Sequence, residues 1–85
     1  SKNLGILQEE CAEIIQAVSK TTRFGWKSMR EGSDNKEKLT QEVADFLVML
    51  DILYANETLN QYEVIAAKPE KIRKLMIFYD VEPFN

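Results

Sequence analysis

Hydrophobic side chains recur at helical spacing in two long segments of the chain. Apolar residues three or four positions apart lie on one face of an α-helix. In the first segment these positions are Leu4, Leu7, Cys11, Ile14 and Val18. In the second they are Leu39, Val43, Phe46, Leu50, Leu53 and Tyr54. The pattern predicts two amphipathic helices, joined by a loop over residues 23–35.

Polar residues and prolines indicate where the helices begin and end. Asp34, with Glu37 three residues later, is a candidate N-cap for the second helix, which should end near residue 55 or 56. Thr58 and Gln61 form a second candidate capping box, which would open a third helix. Pro69 either breaks that helix or lies in the first turn of a fourth, over residues 69–79. Residues 81–85 are expected to be irregular.

These features predict an all-α fold. No segment alternates strictly between apolar and polar residues, and residues 76–79, a candidate short strand, continue a helical pattern. With 85 residues and neither a repeat nor a linker, the chain should form a single domain over residues 1–85. We predict a small bundle of about four helices, built around an antiparallel helix pair.

Oligomerisation should complete the core of this bundle. A domain of this size buries only about 60% of the surface that its unfolded chain exposes. The second helix also carries apolar side chains opposite its main stripe, at Ala44, Val48 and Ile52. A helix that is apolar on both sides is central in its own domain or buried against a partner. We therefore expect a homodimer or a dimer of dimers.

Composition restricts the location and the partners of the protein. A net charge of −3 lacks the basic balance that nucleic-acid binding needs. No apolar run approaches the roughly 18 residues of a membrane span, and the first residues lack the hydrophobic block of a signal peptide. The single cysteine, Cys11, cannot form an internal disulfide. We expect a cytoplasmic protein with no membrane and no nucleic-acid partner.

The chain contains no histidine. This absence excludes Ser-His-Asp and Cys-His catalysis, zinc sites that use histidine, and the di-iron sites built on Glu-x-x-His. Carboxylates are therefore the main candidates for chemistry.

Two pairs of carboxylates lie at matching positions on the two predicted helices. At 100° per residue, Glu10 and Glu13 lie about 60° and about 120° to one side of the first apolar stripe. Glu42 and Asp45 have the same offsets on the second helix. In an antiparallel hairpin the four acids could converge and bind Mg²⁺, a hard cation that prefers oxygen ligands, with Mn²⁺ as an alternative. Glu9 lies across from the stripe and is less well placed.

The motifs around these acids resemble one protein family. Glu9-Glu10-Cys11-Ala12-Glu13 matches the E-E-x-x-E motif of the MazG-like nucleotide pyrophosphohydrolases, and Glu42-Val43-Ala44-Asp45 matches the E-x-x-D motif that follows it. The segments 7–17 and 39–47 also resemble that family, and the likeness extends over residues 4–74. After Lys68, the Tyr-Pro ending common in the family is absent.

The resemblance implies a fold, a reaction and a set of ligands. The family belongs to the all-α NTP pyrophosphatase superfamily, whose members are homo-oligomers that use magnesium. It implies cleavage between the α and β phosphates of a ribo- or deoxyribonucleoside triphosphate, giving the monophosphate and pyrophosphate. By position, the metal ligands would be Glu10, Glu13, Glu42 and Asp45. A catalytic carboxylate, Glu9 or Glu13, would accept the proton of the attacking water.

Other residues are candidates for contacts with the substrate. Four cations could bind the far phosphates: Lys27, Arg30, Lys71 and Lys74. Trp26, next to Gly25, could stack on a base, because aromatic faces stack on any nucleobase, or it could cover the helix ends.

Two other functions stay open at this point. An acidic pair on a helix is often only a solvated face, so the chain could be a non-catalytic helical dimerisation or interaction module. It could also be a related pyrophosphohydrolase that acts on phosphoribosyl-ATP or dUTP.

Overall fold

Three helices and one small hairpin make up the structure, a computed structural model that describes residues 2–82. The helices are α1 (Lys2–Phe24), α2 (Asn35–Ala55) and α3 (Gln61–Phe78). Strands β1 (Met29–Arg30) and β2 (Ser33–Asp34) lie between α1 and α2. The predicted helical class is confirmed, but the described residues form three helices instead of about four. None of these helices is long and apolar enough to cross a membrane.

The β1–β2 hairpin replaces part of the predicted loop. Its strands pair antiparallel, with Met29 opposite Asp34 and Arg30 opposite Ser33. The two connecting residues, Glu31 and Gly32, have φ values of 53° and 87°. Two consecutive positive φ angles are typical of the type I′ turn, whose twist matches that of paired strands. Strands of two residues are too short to show an alternating pattern, so the sequence did not predict them.

Asn35 joins the end of α1 to the start of α2. It is only 2% exposed, and its side-chain amide donates hydrogen bonds to the carbonyls of Lys20 and Gly25, at 3.4 and 2.8 Å. Gly25, with φ of 88°, ends α1 by donating its N–H to the carbonyl of Thr21 at 2.8 Å. The Asn35 side chain thereby ties the start of α2 to the last turn of α1 and to the residue that follows it.

We expect Asn35→Ala to lower the free energy of unfolding by about 2 kcal/mol, because it removes both hydrogen bonds of a buried side chain. Asn35→Asp keeps the shape but replaces the donor with an acceptor, so it should destabilise at least as much. Chemical denaturation of the three proteins measures both effects. A change below about 0.5 kcal/mol for Asn35→Ala, the range of ordinary surface substitutions, would contradict this role.

The predicted start of α2 is confirmed, whereas that of α3 is wrong. Glu37 donates its N–H to Oδ1 of Asp34 at 2.8 Å, and its carboxylate accepts from the N–H of Asp34, which completes the capping box. The cap of α3 is Asn60, whose Oδ1 accepts from two N–H groups of the first turn. Thr58 instead donates its hydroxyl to Asn56 Oδ1 at 2.7 Å.

Pro69 neither breaks a helix nor opens a fourth one, because α3 continues through it. Proline removes one hydrogen bond from the helix interior, here to the carbonyl of Ile65. The flanking residues are good helix formers, and Arg73 forms a bidentate ion pair with Glu70 one turn earlier, at 2.6 and 3.0 Å. The candidate strand 76–79 lies in the end of this helix. Residues 81 and 82 are irregular as predicted, and 83–85 lie outside the described residues.

The predicted antiparallel pair is formed by α1 and α2, and it contains the small core. Ala17, Met49 and Leu53 are the buried apolar residues of the described chain, whereas α3 barely touches the pair. The radius of gyration is 15.4 Å, and the smallest dimension is 16 Å. A compact domain of this length should have a radius of gyration of about 12 Å. One chain therefore forms a thin layer with little interior.

The contact face of the pair is rotated from the predicted stripes towards the acids. Cys11, Val18 and Val43, which the spacing placed in the contact, are exposed. Ala17 is buried instead, and its small side chain leaves room for α2 to approach. Glu10, Glu42 and Asp45 are consequently half-buried in the seam between the helices.

Candidate metal centre

Four carboxylates from α1 and α2 meet in this seam. One oxygen from each of Glu10, Glu13, Glu42 and Asp45 lies within 4.8 Å of the others. Each helix supplies two acids three residues apart, a spacing that puts both on one face. The antiparallel arrangement brings the two faces together. The predicted convergence of these four side chains is what the structure describes.

The hydrogen bonds of the cluster leave oxygens free for a ligand. Oε2 of Glu10 and Oε2 of Glu42 are buried and have no hydrogen-bond donor among the described residues. Asp45 is oriented by Gln41, whose side-chain amide donates to Oδ1 at 2.8 Å. Buried carboxylate oxygens without a donor are costly, so their presence needs an explanation such as a cation. The orienting role of Gln41 was not predicted, although its position four residues before Asp45 is a helical signal.

Mutual repulsion changes the protonation of the cluster. The pKa of Glu42 is raised to about 7, mainly because it can hydrogen-bond to the Glu13 carboxyl only when one of the two carries a proton, and further by burial and by the neighbouring charges. The pKa of Glu10 is also raised, first by loss of solvent and then by the charges of Glu13, Asp45 and Glu9. A divalent cation would relieve this repulsion.

The spacing of the oxygens fits such a cation. In an octahedral magnesium site, ligand oxygens lie about 2.1 Å from the ion, which places neighbouring oxygens about 3.0 Å apart and opposite ones about 4.2 Å apart. The four oxygens here span up to 4.8 Å, so small rotations of the side chains would bring them to the required distances. Ca²⁺ also suits this span, because it binds oxygens at about 2.4 Å, which places opposite oxygens about 4.8 Å apart.

Without metal, the protein should lose stability as the pH rises from 5 to 8. An acid whose pKa is raised from 4.5 to about 7 on folding binds its proton more tightly in the folded chain. Its contribution is fully present below the unfolded pKa and is lost as the pH passes the folded pKa. After allowance for solvent screening we expect a loss of about 1 kcal/mol, or about 5 °C in Tm.

Thermal denaturation in the presence of a chelator measures this loss. Glu42→Gln should remove most of the pH dependence and should be more stable than the parent protein at pH 8. If the stability of Glu42→Gln depends on pH in the same way as that of the parent protein, Glu42 is not the titrating group.

A cavity of about 530 Å³ opens beside the cluster. Glu13 and Glu42 line both the cavity and the cluster. Its wall also contains the cations Lys20, Arg30 and Lys38. Of these, only Arg30 was predicted as a substrate contact. Lys20 lies seven residues after Glu13, and Lys38 four before Glu42, so helical spacing from the acids was a signal that could have found them.

The other predicted site residues lie elsewhere. Trp26, 55% exposed, borders two further cavities, of about 350 and 450 Å³, and Lys27 borders the larger of these. Lys71 lies on α3 with its ammonium 5.4 Å from the centre of the Tyr79 ring, and Lys74 is exposed on the same helix. None of these four residues lines the cavity beside the acids. Their roles in substrate binding stay predictions, as does that of the exposed Glu9.

Comparison with known proteins adds no family assignment: no protein-family model, curated protein or solved structure matches this chain. The chemistry of the centre is therefore inferred from its geometry and from its two acidic motifs.

Proposed function

We propose that the protein is a magnesium-dependent pyrophosphohydrolase of nucleoside triphosphates. It would cleave the bond between the α and β phosphates and release a monophosphate and pyrophosphate. The observation that carries this proposal is the convergence of four carboxylates whose inner oxygens include two that are buried and lack a donor. The substrate class and the cleaved bond rest on the MazG-like motifs around those acids.

The residues of the centre would have different roles in the reaction. Glu10, Glu13, Glu42 and Asp45 would hold the cation, which when bound would neutralise phosphate charge and make water more acidic. Gln41 would keep Asp45 in its orientation. Of the two candidate bases, Glu13 is the better placed, because it borders both the cluster and the cavity. A base must lie within hydrogen-bond reach of the water that it deprotonates.

A homo-oligomer is part of the proposal. Large apolar side chains are exposed on both flanks of α2 and along α3. On α2 they are Val43, Leu47, Val48 and Ile52, and on α3 they include Tyr62, Ile65, Ile77 and Phe78. Monomeric proteins rarely leave so much apolar surface uncovered. The same surface also favours the second candidate function, a helical interaction module without catalysis.

Pyrophosphate release from a panel of ribo- and deoxyribonucleoside triphosphates tests the proposal. We expect release with Mg²⁺ and none with excess chelator. The panel should include dUTP and phosphoribosyl-ATP, since a rate confined to one of these would indicate a related pyrophosphohydrolase.

Metal binding can be followed separately by thermal denaturation. A cation at a hundred times its dissociation constant should stabilise the protein by about 2.7 kcal/mol. Stabilisation by Mg²⁺ without hydrolysis of any substrate would favour the interaction module. If Mg²⁺ neither stabilises the protein nor supports hydrolysis, the metal centre itself is refuted.

A further inference from the structure

We propose that Lys20, Arg30 and Lys38 form an anion site that holds the pyrophosphate end of the substrate. This inference rests on the proposed function and deepens it, because it assigns the leaving group to the cavity beside the acids. The cavity volume of about 530 Å³ lies in the range of small-ligand sites. Its three cations come from three different elements, namely α1, β1 and α2.

Arg30 is held in place but lacks a partner for its charge. Its guanidinium lies over the Phe24 ring, 4.2 Å from the centroid, and this contact fixes the group without using its N–H donors. The Nε atom is buried and has no hydrogen-bond acceptor among the described residues. A guanidinium presents a planar fork that matches two oxygens of a phosphate. Arg30 is therefore preorganised for an oxyanion that reaches the cavity.

Lys38 forms only a weak ion pair, which an incoming phosphate could displace. Its ammonium lies 3.4 Å from Oε2 of Glu31, whose side chain is 87% exposed. An exposed ion pair of this kind contributes little and is easily exchanged. A phosphate in the cavity could take the place of Glu31 without breaking a stable interaction.

The charge of the cavity wall depends on the cation of the neighbouring cluster. Three acids, Glu13, Glu31 and Glu42, offset the three bases in the wall. With the four carboxylates of the cluster ionised, the cluster, Glu31 and the three bases together carry a charge of −2, which a divalent cation would bring to zero. The site should therefore bind a polyphosphate only after the metal, and the phosphate chain would bridge the cation and the three bases.

Titration calorimetry with inorganic pyrophosphate tests this site without catalysis. We expect binding in the presence of Mg²⁺ and at least about tenfold weaker binding with chelator. Arg30→Gln and Lys38→Gln should each weaken pyrophosphate binding by about 10- to 100-fold, the effect of losing a hydrogen bond to a charged group. Arg30→Lys, which keeps the charge but loses the fork, should fall between the parent and Arg30→Gln.

The chain offers a matched control for each substitution. Arg23 also lies over the Phe24 ring, at 5.0 Å, but does not line the cavity, so Arg23→Gln should bind pyrophosphate like the parent. Lys36→Gln, two positions before Lys38 and outside the cavity wall, serves the same purpose on α2. Circular dichroism confirms the fold of each variant.

The outcomes separate this inference from the proposed function. Pyrophosphate binding that depends on Arg30 and Mg²⁺, in a protein that hydrolyses no nucleotide, would support the anion site and reject the enzyme. Nucleotide hydrolysis with unchanged pyrophosphate affinity and unchanged KM in both Arg30→Gln and Lys38→Gln would overturn the anion site alone. No binding of pyrophosphate to the parent protein in Mg²⁺ would also overturn it.

Discussion

Glu42→Gln should lower the rate of pyrophosphate release on the order of 10³-fold, while making the metal-free protein more stable at pH 8. The loss is expected because an amide keeps the shape of Glu42 but removes the negative charge that would face the cation. Even residues that only orient metal ligands change activity by about 10- to 100-fold, so a direct ligand should have a larger effect.

The gain in stability also follows from removing the negative charge of Glu42. Glu42 has a pKa of about 7 because its charged form is disfavoured beside Glu13 and in the seam between the helices. The amide relieves that repulsion. Opposite effects on activity and stability are characteristic of a functional site that is strained in the absence of its ligand.

Glu57→Gln is the control for this substitution. It removes one carboxylate charge just after the end of the same helix, where the residue is exposed. We expect its hydrolysis rate to stay within about twofold of the parent, since surface changes away from a site have small effects. Initial rates with saturating Mg²⁺, together with denaturation curves with chelator, give both quantities. Full activity in Glu42→Gln would remove this residue from the metal centre.

The acid cluster could be predicted in large part from helical geometry. The spacing of Glu10 with Glu13 and of Glu42 with Asp45 puts each pair on one face of its helix, and antiparallel pairing with those faces turned to the seam brings the four carboxylates together. The capping box at Asp34 was equally local, since its two hydrogen bonds join residues three positions apart. Features that depend on short sequence separation and regular helices could therefore be predicted from the sequence.

Features set by tertiary contacts could not be predicted in the same way. The spacing of Cys11 and Val18 predicted an apolar seam, but the pair packs through Ala17, which lies about 100° from Val18 on the side of the acids and whose small side chain permits closer approach. Pro69 was predicted to break a helix or to lie in the first turn of a fourth, because proline removes a hydrogen bond from a helix interior, yet its strongly helical neighbours continue α3 through it. Asn35 gave no signal, because its role depends on carbonyls 10 and 15 residues away.

Val48→Lys should convert the protein from an oligomer to a monomer of much lower stability. Val48 is 55% exposed in the isolated chain and lies on α2, which is apolar around most of its circumference. A helix of this kind is normally buried on all sides. Over residues 2–82, only three apolar residues are buried, and the radius of gyration is 15.4 Å, so one chain provides little core. We therefore expect a second copy to cover this face.

An unpaired charge buried in such an interface costs about 3–5 kcal/mol, so the dissociation constant should rise at least about 100-fold. Sedimentation equilibrium at micromolar concentration measures this change. Ser19→Lys introduces the same charge on the exposed polar side of α1 and should leave the oligomer intact.

The unfolding of the parent protein gives an independent measure, because the stability of an obligate dimer depends on its concentration. Each tenfold dilution should lower the apparent free energy of unfolding by about 1.4 kcal/mol. A compact parent monomer whose denaturation curve does not change on dilution would show that the exposed faces of α2 are not an interface between copies. Since α1 and α2 also carry the four carboxylates, we expect Val48→Lys to weaken Mg²⁺ binding as well. Val48 lies three positions after Asp45, so the new ammonium would also compete with the cation for that carboxylate.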